Sequence, residues 1–237
     1  MKSKKATQFN TLNLDILFED SDIVVVNKPA GVIVHRAPGH QECSIADELA
    51  LTRPSMLSVG SSERPGVVHR LDIETSGVMV FAKNKFAYKF LRDAFESHKD
   101  IVKKYLAVLH GSLPKKVGRL ETLIGRKGWD SKRMAVDVPD GKGAVTEWSV
   151  LAKKGSLSLV EFIIETGRTH QIRVHSAYMG CPIVGDKLYG DNLRDRRLRV
   201  VPSRHLLHAV ELSFLHPRTQ KRVVFAAQPP DDIIYSV

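Results

Sequence analysis

Cysteine is scarce in this 237-residue sequence, and no long apolar run occurs in it. The two cysteines, Cys43 and Cys181, cannot build a disulfide framework and do not have the spacing of a zinc site. The longest uninterrupted aliphatic run is residues 23–26, whereas a helix needs about 20 apolar residues to cross a bilayer. The basic segment MKSKKATQFN lacks the apolar stretch of a secretory signal after it. We therefore expect a protein of a reducing compartment, the cytoplasm, with no membrane partner.

Negative charge is also in short supply. The 26 acidic residues face 36 Lys and Arg, which gives a net charge of +10 and a pI near 9.6. An excess of this size favours a polyanionic partner, most commonly nucleic acid. The alternative is a basic but non-specific surface. An anionic membrane is less favoured, because no basic amphipathic helix with a bulky apolar face stands out.

Linkers, low-complexity tracts and internal repeats are missing too, so one continuous domain is the simplest partition. We expect residues 1–13 to form a basic N-terminal arm and residues 14–237 to form one domain. β-Branched and aromatic runs predict most of the secondary structure as strands, closed by turn residues such as those at 27–31. The strand predictions are residues 23–26, 32–34, 78–81, 105–109, 145–151, 157–164 and 223–225.

Helices are fewer in this prediction. Asn84 is expected to cap a helix that ends near residue 98, and a shorter helix is expected over residues 44–51. A third is expected over residues 169–179, ended by Gly180 at the C′ position. Strands and helices do not alternate regularly, so the pattern indicates an α+β domain. We expect a largely antiparallel or mixed central β-sheet flanked by a few helices.

A polar loop between two apolar segments, GVVHRLDIETSG at residues 66–77, is the first candidate for chemistry. A loop held by two strands is a favoured place for a reactive group, and Asp72 follows Arg70 there. The alternative is turn chemistry alone, because Asp before Thr-Ser-Gly is common in turns.

The second candidate is ETGRTHQIRVH at residues 165–175, with two arginines, two histidines and a glutamine within eight residues. His170 and Arg173 are three apart and would share a helix face. Two histidines five apart, without a carboxylate at ligand spacing, make a poor zinc site, so we predict no metal. The stretch is either a solvated basic helix or an electropositive pocket that binds a carboxylate and phosphates. Tyr105, beside Lys103 and Lys104, could pack in the sheet or stack on a base.

Four blocks in order resemble the RluA-type pseudouridine synthases. They are VVNKPAGVIVH, VHRLDIETSGVMVFAK, KKYLAVLHG and TGRTHQIRVHSAYMGCPIVGDKLYG, and the similarity runs from about residue 14 to residue 226. The resemblance implies a pseudouridine synthase fold and the isomerisation of uridine to pseudouridine in a folded RNA. It implies no cofactor and no metal, and it implies a monomer. Residues 14–237 would be the catalytic domain, without the S4-type RNA-binding domain that many larger members carry.

The resemblance also implies roles for single residues. Asp72 takes the place of the catalytic carboxylate, Arg173 that of the arginine paired with it, and Tyr105 that of the aromatic residue stacked on the target base. Arg70 resembles the arginine that holds the flipped nucleotide's place or phosphate, and Ile172 the apolar wall of the base pocket. The block that begins TGRTHQIR adds further candidate substrate-binding residues, which are Arg168, His170 and Gln171.

The tract over residues 124–150 resembles members that act on large-subunit ribosomal RNA, so 23S ribosomal RNA is the expected substrate. Transfer RNA is the alternative substrate. Two other functions compete with a synthase. One is a non-catalytic RNA-binding or ribosome-assembly protein, which would not need the Asp72 carboxylate. The other is a nucleotide-directed hydrolase that combines Asp72 with a histidine, namely His69, His170 or His175.

Overall fold

The computed structural model describes residues 12–36, 42–128, 130–234 and 236 of the chain, so the predicted arm at 1–13 lies mostly outside the described residues. The strands are β1 (Asp15–Glu19), β2 (Ile23–Lys28), β3 (Gly60–Ser61), β4 (Arg64–Pro65), β5 (Ser76–Ala82), β6 (Val102–His110), β7 (Val117–Lys127), β8 (Asp130–Val136), β9 (Lys142–Lys154), β10 (Leu157–Ile164), β11 (Leu207–Leu215) and β12 (Arg222–Ala226). The helices are α1 (Ile45–Thr52), α2 (Lys85–Ser97), α3 (Gln171–Tyr178), α4 (Asn192–Asp195) and α5 (Asp231–Ile234), with a 3-10 turn at Pro54–Ser58.

Ten of the described strands form one sheet in the order β1-β2-β5-β11-β6-β10-β9-β7-β8, with β12 also paired to β11. The pairing between β5 and β11 is parallel, and the other pairs in this sheet are antiparallel. The prediction of an α+β fold with a largely antiparallel or mixed sheet is therefore confirmed. Among the described residues, no helix has the length and apolar character needed to span a bilayer.

The central strands are buried on both faces, and the strands further out alternate between core and solvent. In β2 the residues from Ile23 to Val26 are fully buried, and β5 is buried along its whole length. In β10 every second residue is buried, as the two-residue period of a strand requires. Phe81, Phe162 and Phe214 are fully buried in the main core, which packs against this sheet.

The predicted helices are confirmed with small shifts at their ends. Asn84 caps α2 by accepting a hydrogen bond from the Ala87 N–H at 2.9 Å, and Ser44 caps α1 by accepting one from the Asp47 N–H at 3.1 Å. Gly180 follows the C-cap residue Met179 with φ +74°, a conformation that glycine adopts without strain.

The strand predicted at residues 32–34 is wrong, because this segment is a loop. Its apolar residues are still buried, with Ile33 and Val34 only 6% and 5% exposed. Their carbonyls accept hydrogen bonds from the N–H groups of Ile45 and Ala46, which open α1. The backbone thus satisfies the free donors at the start of a helix instead of pairing with a strand.

Candidate active site

Asp72 lies in the loop that leads into β5, and other parts of the chain fix the backbone of this loop. The Thr75 N–H donates to the Asp72 carbonyl at 3.1 Å, which closes a turn directly after the carboxylate. The Gly31 N–H donates to the Ile73 carbonyl at 2.9 Å. Arg204 donates through Nη1 to the Glu74 carbonyl at 3.2 Å. The loop that carries Asp72 is therefore held at three successive residues.

Lys28, at the end of β2, is fully buried beneath the same loop. Its Nζ donates to the carbonyls of Pro29, Ile73 and Thr75 at 2.9, 2.8 and 2.8 Å, so three acceptors match the three donors of an ammonium group. Burial lowers the pKa of Lys28 to about 7, and the charge of Asp72 opposes part of this shift. Lys28, from the turn at 27–31, is thus a buried group that connects this turn to the loop that carries Asp72.

Arg173, on α3, orients the Asp72 carboxylate. Its Nη1 donates to Asp72 Oδ2 at 2.9 Å, while its Nε and Nη2 donate to the two carboxylate oxygens of Asp186 at 2.7 and 2.9 Å. Asp186 Oδ1 also accepts the N–H groups of Leu188 and Tyr189. Asp186 and Arg173 are nearly enclosed, with exposures of 1% and 7%, and the Asp72 side chain keeps 22% of its surface open.

Tyr189 and His170 complete the surroundings of this ion pair. The Arg173 guanidinium lies 5.1 Å from the centre of the Tyr189 ring, which is a cation–π contact. The Tyr189 hydroxyl accepts the Met134 N–H at 2.7 Å and lies 2.9 Å from His170 Nδ1. His170 Nε2 is 3.8 Å from Asp72 Oδ1. Burial lowers the pKa of His170 against the opposing effect of Asp72, which favours the neutral ring.

A small cavity of about 80 Å³ opens at Asp72, and Tyr105 forms part of its wall. Tyr105 lies on β6 and is 8% exposed. Burial raises the pKa of its phenol, and the charge of Asp72 raises it further, so the hydroxyl keeps its proton. The other cavity-lining residues are Arg70, Leu71, Thr75, Ile164, Gly167, Arg168, His170, Gln171, Ile172, Arg173 and Leu207.

A larger cavity of about 590 Å³ adjoins the first one. The two share Arg70, Tyr105, Ile164 and Gly167 in their walls, so they form one continuous cleft. In the larger part the rings of His69 and Phe95 stack with centroids 4.4 Å apart.

The structure brings every sequence-predicted site residue to the small cavity, but not every side chain is free there. Arg70 is exposed at the junction of the two cavities, and Ile172 is a buried apolar part of the wall. Arg168 donates through Nε to the Gly143 carbonyl at 2.9 Å. The Gln171 amide is engaged inside the protein, since its oxygen accepts from Thr166 and Arg168 and its nitrogen donates toward β9.

Two of the three histidines considered for a hydrolase are engaged elsewhere. His175 is fully buried, with Thr146 and Thr122 hydroxyls 2.9 Å from its two nitrogens. His69 accepts the Val80 N–H through Nε2 at 3.1 Å, and burial lowers its pKa to about 3. His170 is the one of the three that lies beside Asp72.

One group of side chains in the described residues has its ligand atoms close enough for a metal ion. Asp20, Asp22 and His216 place these atoms within 4.8 Å of one another. The Asp22 carboxylate already accepts two hydrogen bonds of 2.6 Å from Arg218, and none of the three residues lines the cleft at Asp72. A guanidinium therefore occupies the position that a cation would need.

Asp186, Tyr189 and the buried position of Lys28 were not predicted from the sequence. Asp186 and Tyr189 lie in GDKLYG, within the last block, where a single Asp between glycines is typical of a turn. Lys28 belongs to a turn cluster whose local pattern predicts a reversal of the chain and nothing more. One signal could have found them. Lys28 and Asp186 are charged residues next to apolar segments, and a charged residue that is buried with such a segment needs a partner.

The family model for RNA pseudouridylate synthase matches residues 22–178, which include Asp72, Tyr105 and Arg173. The chain belongs to this family. Its relatives include an uncharacterized RNA pseudouridine synthase of Bacillus subtilis, YlyB, which is 41% identical over 222 residues, covering 94% of this chain and 71% of YlyB. They also include ribosomal large subunit pseudouridine synthase D of Neisseria meningitidis serogroup A, 40% identical, covering 94% of this chain and 60% of the relative.

Ribosomal large subunit pseudouridine synthase D of Zymomonas mobilis is 38% identical to this chain, and the match covers 93% of this chain and 70% of the relative. The chain thus spans 60–71% of the length of these three members of the RNA pseudouridylate synthase family. Among solved structures, human RNA pseudouridylate synthase domain containing 4 aligns with a TM-score of 0.72 at 29% identity, over 93% of this chain and 90% of the human one. The fold of the family is therefore shared along nearly the whole chain.

Proposed function

We propose that this chain isomerises uridine to pseudouridine in RNA, with Asp72 as the catalytic carboxylate. The observation that carries the proposal is the hydrogen bond from Arg173 to Asp72 at the wall of a cavity that Tyr105 also lines. The reaction breaks the C1′–N1 bond of uridine, turns the uracil and rejoins it through C5. No group is imported and no net redox change occurs.

The proposed chemistry needs an ionised and oriented carboxylate. The Arg173 guanidinium donates to one Asp72 oxygen and places a positive charge beside it. Asp72 then acts either as a nucleophile at C1′ or C6, or as a base that removes the 2′ proton. Arg173 breaks no bond in either route but fixes the direction of the attacking oxygen.

The uracil must leave its stack before Asp72 can reach it, which costs about a few kcal/mol. In this proposal the ring of Tyr105 stacks on the flipped base, an interaction of roughly 1–3 kcal/mol, and offsets part of that cost. In the same proposal the Tyr105 hydroxyl assists proton removal. Ile172 forms the apolar wall, and Arg70 and Arg168 face the RNA backbone. His170 borders Asp72, and Gln171 shapes the loop rather than touching the substrate.

For the substrate we propose large-subunit ribosomal RNA. The support is the name of the two relatives called ribosomal large subunit pseudouridine synthase D. We further propose that residues 14–237 act as a single catalytic domain, as a cytoplasmic monomer. Transfer RNA is the alternative substrate, and a non-catalytic RNA-binding protein is the alternative function.

The test is to incubate wild-type protein and Asp72→Asn with total RNA from cells that lack this protein, and to map pseudouridine by carbodiimide primer extension. Asp93→Asn is the matched control, because Asp93 is exposed on α2 and does not line either cavity. We expect new pseudouridine in 23S ribosomal RNA with wild type and Asp93→Asn, and none with Asp72→Asn.

The other outcomes separate the alternatives. New pseudouridine only in transfer RNA would keep the activity and overturn the substrate. RNA binding without new pseudouridine, in free RNA and in assembling ribosomal subunits alike, would favour the RNA-binding protein. Released uracil or cleaved RNA would identify a hydrolase.

A further inference from the structure

The ammonium group of Lys103 is enclosed in the wall of the cleft without a carboxylate partner among the described residues. Lys103 is 7% exposed, and its Nζ donates to the carbonyls of Thr166 and Glu165 at 3.2 and 3.5 Å. The Glu165 carboxylate faces Arg119 instead, at 3.4 Å. Burying a charge without a counter-charge is costly, and buried cations are normally paired. The buried ammonium group of Lys103 therefore lowers the stability of the folded protein.

Two further nitrogen-rich side chains lie near Lys103. Arg168, bonded to the Gly143 carbonyl, has no carboxylate partner in the described part of the chain, and its charge joins burial in lowering the pKa of Lys103 to about 8. His98 Nδ1 is buried and has no hydrogen-bond partner among those residues. Burial first, and then Lys103 and Arg168, lower the pKa of His98, so the ring is neutral. The group combines two cations with an unused polar atom.

The Lys103 group is open toward the substrate cleft. Lys103 and His98 line the larger cavity and Arg168 lines the small one, while Gly167 lines both. A Cβ at Gly167 would lie 3.7 Å from Lys103 Nζ, so the absence of a side chain leaves the approach to the ammonium free. An anion at the junction of the two cavities, beside Gly167, would therefore lie near both cations.

We propose that Lys103, Arg168 and His98 form a binding site for a phosphodiester of the RNA strand, one that flanks the nucleotide held at Asp72. This inference rests on the proposed function, since it names a part of the same substrate. A phosphate supplies the missing negative charge and several acceptor oxygens. The ammonium acts as a point charge and the guanidinium donates from the side of the small cavity, while the neutral His98 ring lines the larger cavity beside them.

The matched pair for the test is Lys103→Gln against Lys104→Gln. Lys104 is the next residue of β6, points to the opposite face and pairs with Glu211 at 3.0 Å. We expect Lys103→Gln to bind ribosomal RNA fragments about tenfold more weakly and to reduce the slope of log K against log salt by about 0.7–0.9, as for one lost phosphate contact. Lys104→Gln should leave both quantities near the wild-type values. Equal affinity and slope for Lys103→Gln and wild type would overturn the site.

A second measurement does not depend on catalysis or on the choice of RNA. Inorganic phosphate at pH 7 should raise the melting temperature of wild type and Lys104→Gln by about 3–6 °C at ten times its Kd, relative to chloride of the same ionic strength. Lys103→Gln should show no such rise. If phosphate stabilises wild type in this way while no pseudouridine is ever formed, the anion site stands and the proposed reaction fails. If pseudouridine forms but phosphate acts equally on all three proteins, the reaction stands and the site fails.

Lys103→Met separates a binding role from a structural one. Methionine keeps the length of the side chain and removes the uncompensated charge, so the melting temperature in chloride should equal or exceed that of wild type while RNA binding weakens. A lower melting temperature together with unchanged RNA affinity would assign Lys103 a purely structural role.

Discussion

The carboxylate of Asp186 accepts two hydrogen bonds from the guanidinium of Arg173, through Nε at 2.7 Å and Nη2 at 2.9 Å. This paired contact fixes the plane of the guanidinium and directs the remaining Nη1 at Asp72. Burial alone would raise the pKa of Asp186, but Arg173 outweighs it and the pKa is lowered. Asp186 is therefore ionised and positions the arginine that orients Asp72, the proposed catalytic carboxylate.

We expect Asp186→Asn to lower kcat by about 100-fold, because a displaced Arg173 no longer holds the Asp72 oxygen in line for reaction. The amide nitrogen would also face guanidinium donors, which costs about 3–5 kcal/mol in a buried pair. Single-turnover kinetics and urea unfolding measure the two effects. The exposed Asp140→Asn should change neither. An Asp186→Asn variant with wild-type turnover would refute the positioning role.

Tyr105 is predicted to contribute through its ring and its hydroxyl separately. Tyr105→Phe should keep RNA affinity within about twofold and lower turnover, because the stacking surface remains and the hydroxyl is lost. Tyr105→Ala should also weaken binding, by about 5- to 150-fold if stacking contributes roughly 1–3 kcal/mol. Fluorescence titration with RNA and single-turnover rates separate the two effects. Full turnover in Tyr105→Phe would exclude the hydroxyl from the reaction.

Local sequence signals predicted the parts of the fold that depend on interactions between residues close together in the chain. The Asn84 cap, the Gly180 helix end and the β-branched run of β2 each act within a few residues, and each is found as expected. Residues 32–34 have equally apolar composition, but their backbone partner is the start of α1, which no local pattern encodes. Strands β1, β3, β4, β7, β8 and β11 were not predicted; in β7 and β8 charged residues interrupt the apolar pattern.

The candidate site also contains residues that the sequence predicted and residues that it did not. Local patterns marked Asp72, Tyr105 and Arg173 as candidates, but the pairing of Asp72 with Arg173 was predicted through the family resemblance alone, since the two are 101 residues apart. Asp186 and Lys28 act through contacts with other segments of the chain, and their own neighbours indicate only turns. Such residues become predictable when a buried charge is required to have a partner.

Lys28 is predicted to stabilise the Asp72 loop through the carbonyls that it holds. Lys28→Met would leave the buried Thr75 carbonyl without its Lys28 donor, at about 1–3 kcal/mol, and would remove one of the two donors of the Ile73 carbonyl. We expect a lower urea midpoint and lower turnover together. Lys187→Met is the control, because Lys187 also contacts this loop, through Glu74, but is 67% exposed. Equal midpoints for the two variants would contradict the role of Lys28.

His175 is predicted to make stability depend on pH. Burial lowers its pKa to about 4 from an ordinary value of 6.5, and the two threonine hydroxyls beside it accommodate a neutral ring. At pH values well above 6.5 neither the folded nor the unfolded protein protonates this ring appreciably, so its contribution is fully present there. As the pH falls from 6.5 toward 4, the unfolded chain binds a proton that the folded one excludes, and the free energy of unfolding decreases.

For His175 this loss amounts to about 2 kcal/mol between pH 7 and pH 5. Urea unfolding of wild type and His175→Gln at the two pH values measures it. The variant should be less stable at pH 7, because a fully buried hydrogen-bonded ring is lost, but its stability should fall by about 2 kcal/mol less on acidification. His69 and His205, whose pKa values burial lowers to about 3 and about 4, retain their own contributions in both proteins. An identical fall in wild type and variant would mean that the folded protein takes up a proton at His175 as readily as the unfolded chain.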